Sequence, residues 1–204
     1  MNAMDTDTVV AEALSLLEEG GLANVTIRRL ATRLDVKAPS IYWRFADKQA
    51  LLDAMAEAMI AEYVGDPAPP PLERHWRPWL FDRLHRLRRA MLAYPDGARV
   101  VAGARPTGTP TLAALTESSL RALEDRGIDL AEGATLVFTA FHYTFGHVIE
   151  EQDSTGAATM DEPTKAKFGE SYPTIAKVMA LAQGRRSSGE EIFDAGLALI
   201  LGSD

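Results

Sequence analysis

Cysteine is absent from the 204-residue chain, which excludes disulfides, thiolate zinc sites and a thiol nucleophile. No apolar run approaches the roughly 18 residues that a membrane span needs. The first ten residues, MNAMDTDTVV, carry neither a basic start nor an apolar stretch, so a secretory signal is not expected. These absences point to a soluble, cytoplasmic protein with no membrane partner, in which the glycosylation sequon Asn24-Val25-Thr26 is accidental. Period-two alternation of β-branched residues is nearly absent, whereas apolar residues recur at helical spacing throughout, so the fold class is all-α. There is no glycine-rich phosphate loop and no nucleophile paired with a base at a recognisable spacing. His142 and His147, five residues apart, do not make a helical metal pair. Neither an enzyme nor a resident cofactor or metal is expected.

What the chain does have is an uneven charge distribution. Its formal net charge is −8, yet residues 26–48, TIRRLATRLDVKAPSIYWRFADK, hold six cations (Arg28, Arg29, Arg33, Lys37, Arg44, Lys48) against Asp35 and Asp47. A basic stripe on an acidic molecule points to a polyanionic partner, while the acidic remainder discourages adhesion elsewhere. A charge run alone is more often a solvated helical face. This one coincides with two short helical patterns joined by a tight turn. The first places Ile27, Leu30, Ala31 and Leu34 on one side, with Thr26 as N-cap and Arg28, Arg29 and Arg33 free to face solvent or phosphate. The second runs from Lys37 to Phe45, with Pro39 in a first turn whose backbone N–H groups lack partners anyway. The pattern predicts a helix-turn-helix that enters the major groove of double-stranded DNA.

Around this motif the spacing predicts a first helix over residues 7–19, burying Val9, Val10, Ala13, Leu14 and Leu17 and ending at Gly20-Gly21. A fourth helix, capped by Asp47, continues to Gly65. Residues 65–73, GDPAPPPLE, break helical structure and stiffen the chain. The expected organisation is a DNA-binding domain over 1–48, a connecting helix over 49–65 and a second helical domain over 66–204. In that second domain, helices are expected near 76–94, 95–103, 109–126, 130–152, 163–183 and 188–201, with a polar loop over 153–162. The stripe Phe138, Phe141 and Phe145 reads as core more readily than as a ligand box. Leu197, Leu199, Ile200 and Leu201 give the last helix an apolar surface suited to a partner helix.

Tyr42, Trp43, Phe45 and Lys48, followed by Leu51-Leu52, resemble the TetR family of bacterial transcriptional regulators. The likeness continues through Leu51-Leu52-Asp53-Ala54, Arg88-Arg89-Ala90-Met91-Leu92, Tyr94 with Asp96-Gly97-Ala98, Gly103 with Arg105-Pro106, and His142 with Gly146 and Glu150. These look like the regulatory domain of the family's tetracycline repressors, up to about residue 152, beyond which only helical character matches. The resemblance implies a homodimeric repressor, each subunit reading one half-site of a near-palindromic operator and releasing it when a small-molecule inducer binds. Arg28 then stands where a guanine is read, which suits its bidentate fork. Lys37, Ala38, Pro39, Ser40 and Arg44 fall where base choice is made, and Thr26, Tyr42, Trp43 and Lys48 where phosphates are held. Lys37, Ala38 and Arg44 replace an acid, a glutamine and a histidine, so the operator should differ. Asp35 replaces a common turn glycine, a substitution that aspartate tolerates.

The ligand-binding positions implied by the resemblance are Val64, Arg83, Leu87, Val101, Arg105, Pro106, His142 and Glu150. Tetracycline repressors hold a magnesium-tetracycline chelate through one histidine and, by way of water, one glutamate. Here Val101 stands at the histidine position and offers no lone pair. Ala104 replaces a threonine of the metal's water network, and Val64, Arg83 and Leu87 replace a histidine, an asparagine and a phenylalanine that grip the drug. Retained are Arg105, Pro106, His142 and Glu150, the last two about 12 Å apart along a helix and therefore poor partners for one ion. The expected inducer is apolar or anionic and metal-free. The competing reading is a helical small-molecule-binding or adaptor protein with a vestigial DNA module.

Overall fold

The computed structural model describes residues 5–156, 161–185 and 188–202, and among them there are eleven α-helices, one short 3-10 turn and no strand. The N-terminal module comprises α1 (Thr6–Asn24), α2 (Ile27–Arg33) and α3 (Ala38–Tyr42), followed by α4 (Lys48–Val64). Its apolar sides meet as the spacing requires, with Val9, Leu17, Leu30, Ile41, Leu51 and Met55 fully buried. The polar devices at the helix ends are local. Thr26 Oγ1 accepts the Arg29 amide at 3.2 Å and Asp47 Oδ1 the Ala50 amide at 2.6 Å, capping α2 and α4. Asp35 takes the left-handed conformation at φ 52°, and the turn closes by Val36 N donating to Ala31 O at 2.9 Å.

The second domain contains α5 (Trp76–Leu92), α6 (Gly97–Ala102), the 3-10 turn (Pro106–Gly108), α7 (Pro110–Glu124), α8 (Leu130–Gly156), α9 (Glu162–Ser171), α10 (Pro173–Arg185) and α11 (Gly189–Leu201). Helix α4 packs against α1 on one side and against α5, α6 and α7 on the other, so one apolar core runs through both halves of the chain. Helix α8 is the second axis, flanked by α5, α6, α7 and α11. The link from α4 to α5 leaves at Gly65, φ 64°, and is gathered in by Arg126, whose Nη2 donates to the carbonyls of Pro71 (2.8 Å) and Arg74 (2.7 Å).

Four elements differ from the sequence-based expectation. Gly20-Gly21 kinks α1 and does not end it: Gly21 sits at φ 68°, one more turn follows, and the Asn24 side-chain Nδ2 donates to Leu16 O at 2.7 Å. The expected helix over 163–183 is two helices, because Tyr172 precedes Pro173 and leaves helical geometry at φ −133°, ψ 63°. The expected loop over 153–162 is shortened by α8, which runs to Gly156; its residues 157–160 lie outside the described residues. The helix expected from 95 begins only at Gly97, since Asp96 is left-handed at φ 55°.

Two polar joints tie α6 and the segment after it to the DNA-binding half. Along one face of α4, Gln49, Asp53 and Glu57 grip residues 103–111: Gln49 Nε2 donates to Gly103 O (3.0 Å), and Glu57 accepts from the Thr111 hydroxyl (2.6 Å) and amide (3.1 Å). Asp53 is 3% exposed and accepts from Arg105 N (3.0 Å), Arg105 Nε (2.7 Å) and Gln49 Nε2 (2.9 Å). Burial opposes its charge, but the Arg105 amide, Gln49 and the Arg105 guanidinium together hold its carboxyl below the ordinary aspartate value. A β-carbon at Gly108 would approach Asp53 Cβ to 2.5 Å, so glycine is needed there. The second joint is Asp96 Oδ2, which accepts the Leu22 amide at 2.8 Å beside the α1 kink.

Two stability effects follow. Phe193 of α11, fully buried and stacked on Tyr143 at 5.6 Å, leaves a cavity when replaced by alanine, and urea denaturation of Phe193→Ala should show a loss of about 3–5 kcal/mol. Because the folded Asp53 carboxyl titrates lower than the unfolded one, its contribution is present above the ordinary aspartate range and is lost as pH falls through the folded value. Asp53→Asn should therefore cost about 1–3 kcal/mol at pH 7, and progressively less as the medium is acidified towards pH 3. Parallel urea titrations check this, and an equal deficit at both pH values would refute it.

Candidate functional site

The outer face of α2 and α3 carries what the inner face excludes. Leu30, Ala31, Ile41 and Phe45 are buried, whereas Arg28, Arg29, Lys37, Pro39, Tyr42, Arg44 and Lys48 are exposed, with Ala38 and Ser40 half-buried at the start of α3. Trp43 is 84% exposed, so it is not the core aromatic that its size would suggest. Thr26 is half-buried with its hydroxyl committed to the α2 cap. Arg44 Nη1 reaches back to Ser40 O at 3.2 Å. Arg33 is not free: it pairs with Glu12 (2.9 Å) and Glu19 (2.6 Å) and donates to Ser15 Oγ (3.2 Å), all on α1. The hydrogen bond it donates to Glu19 is the main reason its guanidinium is held more firmly protonated than usual. Among the described residues Arg28, Arg29, Lys37 and Lys48 have no ion-pair partner, so the outward positive field rests on these four with Arg44.

The second feature is a cavity of about 410 Å³ walled by α6, the 3-10 turn, α7 and α8. Val101, Ala104, Pro106, Leu112 and Leu120 face Phe138, Phe141 and Phe145 across it, with Thr116, Glu117 and His142 as its polar lining. Phe141 and Phe145 meet edge to face at 6.2 Å, and Phe138, 45% exposed, stacks with His142 at 6.4 Å. The phenylalanine stripe is thus one wall of a cavity as well as part of the core.

Of the ligand positions taken from the resemblance, Val101, Pro106 and His142 come together here. Arg105 lies between two lining residues but turns its guanidinium to Asp53 and, at 3.6 Å, to Asp47. The other four lie elsewhere. Val64 and Leu87 are fully buried in the core, and Arg83 Nη1 donates to Val64 O at 2.7 Å. Glu150 is exposed two turns beyond His142 and contributes to the field at Arg99. Sequence reasoning missed Leu112, Thr116, Glu117 and Leu120 because a single amphipathic helix does not reveal which stretch of its apolar side meets a void. The three phenylalanines were the available signal.

On the opposite side of the chain, Leu197 and Leu201 of α11 are buried against the same subunit, whereas Leu199 is 87% exposed and Ile192 also projects outward. Only part of the apolar surface expected for a partner is therefore available to one. Helix α10 exposes Ile175, Val178 and Met179.

Comparison with known proteins agrees with this arrangement. Residues 9–55 match the family model "Bacterial regulatory proteins, tetR family" and residues 68–202 the model "Tetracyclin repressor-like, C-terminal domain", so the likeness runs through α11 and does not stop near residue 152. The class A tetracycline repressor from transposon 1721 of Escherichia coli is 36% identical over 202 residues, covering 98% of this chain and 90% of that protein. A possible TetR-family regulator from Streptomyces coelicolor A3(2) superposes with a TM-score of 0.80 at 33% identity, covering 97% of both chains. A class A repressor solved with 5a,6-anhydrotetracycline and magnesium gives 0.67 at 35% identity, over 96% of this chain and 94% of that one. The chain belongs to the TetR family of bacterial transcriptional regulators, and it is not an enzyme.

Proposed function

We propose that the protein is a homodimeric repressor that holds a two-fold operator through α3 of each subunit and lets go when a small organic molecule enters the α6–α8 cavity. The observation that carries this reading is an alternation along one segment. Val101, Ala104 and Pro106 line the cavity, while Gly103 and Arg105, set among them, hydrogen-bond to Gln49 and Asp53 of α4. A ligand that displaces the lining must move these contacts. Helix α4 begins at Lys48, four residues after Arg44, so its tilt sets the separation of the two reading heads. A change in that separation favours the dimer that no longer fits successive major grooves.

The exposed tryptophan supports the DNA role, since a large apolar side chain flanked by Lys37, Arg44 and Lys48 suits a sugar-phosphate backbone. The exposed apolar residues of α10 and α11 support a second subunit. Magnesium is a poor fit: at Val101 there is only hydrocarbon, and beyond Thr116 the lining offers one imidazole and one carboxylate, not the oxygen-rich octahedron the ion requires. The inducer is accordingly read as metal-free.

Fluorescence anisotropy on duplexes from the region upstream of the protein's own coding sequence tests the reading. The intact protein should prefer a specific duplex over random sequence and lose affinity steeply with salt; no preference at low salt would overturn it. Trp43→Ala should weaken binding to all duplexes by about tenfold with no change in thermal stability, whereas Arg28→Ala should relax base preference at one position of each half-site. Arg105→Ala, which removes the guanidinium from Asp53, should leave a protein that still binds DNA but responds less to any ligand that releases the wild type.

A further inference from the structure

We infer that the ligand of the α6–α8 cavity is an organic cation with an apolar, aromatic-sized body. This rests on the reading of that cavity as the inducer site and narrows it. The wall is hydrocarbon from Val101, Leu112, Phe138, Phe141 and Phe145, and its fully charged member is Glu117. Glu117 sits at the solvent-exposed rim of the cavity, and among the described residues it has neither a hydrogen bond nor an ion-pair partner. Among the described residues no lysine or arginine lines the space. The nearest cation in the sequence of the opposite wall, Arg105, is already committed to Asp53 and Asp47. Arg121, one turn after Glu117 on α7, is exposed and does not line the cavity.

An anion placed here would face an uncompensated carboxylate and the negative faces of the phenyl rings. A cation would gain from both, through Coulomb attraction to Glu117 and through contact with the aromatic faces. A cationic ligand departs from the anionic alternative expected from the sequence. The volume, about 410 Å³, suits a body of two to four rings rather than a metabolite-sized amine.

A pair of ions of the same shape and opposite charge separates charge from hydrophobicity. Tetraphenylphosphonium and tetraphenylborate are titrated calorimetrically into the full-length protein, its Glu117→Gln variant and, as a control for overall charge, Glu132→Gln, which alters an exposed carboxylate outside the cavity. Circular dichroism confirms that each variant is folded. The phosphonium should bind the wild type at least tenfold more tightly than the borate, Glu117→Gln should bring the two within about threefold, and Glu132→Gln should leave the ratio unchanged. Equal or tighter borate binding, no binding of either ion, a ratio that survives Glu117→Gln, or one that falls equally in Glu132→Gln would overturn the inference. Operator binding by the same samples is read separately by anisotropy. Sequence-preferring DNA binding with the wrong ion selectivity sinks only the ligand class, whereas its absence sinks the regulator reading.

Discussion

The buried carboxylate of Asp53 is the constraint on which the rest of the arrangement depends. A charge removed from water must be met by donors of fixed geometry, and here they come from two places at once: Gln49 one turn earlier on α4, and both the amide and the guanidinium of Arg105. Satisfying the charge fixes the path of residues 103–108. That path fixes the cavity wall, and Gly108 is left without room for a side chain. The same requirement anchors the first turns of α4, next to the reading head. The α6–α8 cavity and the helix-turn-helix are related through one ion's need for partners.

Charge is used differently on the two sides of this joint. On the DNA face, cations are left unpaired and exposed, except Arg33, whose pairing with Glu12 and Glu19 converts a potential phosphate contact into a strap between α2 and α1. In the second domain the buried cation is paired: Arg88 donates to both oxygens of Glu151 at 2.7 and 3.2 Å and lies over the Phe193 ring. Exposed charges offer affinity for a partner, and buried ones fix the orientation of helices.

Much of the fold was legible in the sequence, and the reasons are local. Thr26 and Asp47 cap the helices they precede, Asp35 accepts the left-handed turn, and the apolar spacing of α1 and α2 names Val9, Val10, Ala13, Leu17, Leu30 and Ala31 among the buried residues, whereas Leu14, Ile27 and Leu34 are only half-buried and buried Leu16 was not named. Features that depend on distant partners were not legible. Gly20-Gly21 reads as a helix end, but the Asp96 carboxylate 74 residues away receives the Leu22 amide and supports one more turn. The cavity was half visible: the phenylalanines of α8 announce themselves at helical spacing, whereas half-buried Thr116 and exposed Glu117 on α7 are shown to border a void only when two helices are placed face to face. Arg83 and Val64, expected from the resemblance among the ligand positions, lie outside this cavity, with Arg83 donating to the Val64 carbonyl.

The prolines between α4 and α5 have a mechanical side. Each one removes a backbone donor, leaving a run of carbonyls with little to bond to within the segment. One guanidinium just past the end of α7 collects them, Arg126 donating to the carbonyls of Pro71 and Arg74 and also to that of Ala122 on α7. A stretch that composition marks as a tether between two bodies is thereby nailed to one of them. The two halves of the chain are not joined there as by a loose rope, and the load between them falls on the packing of α4 and on the two polar joints at Asp53 and Asp96.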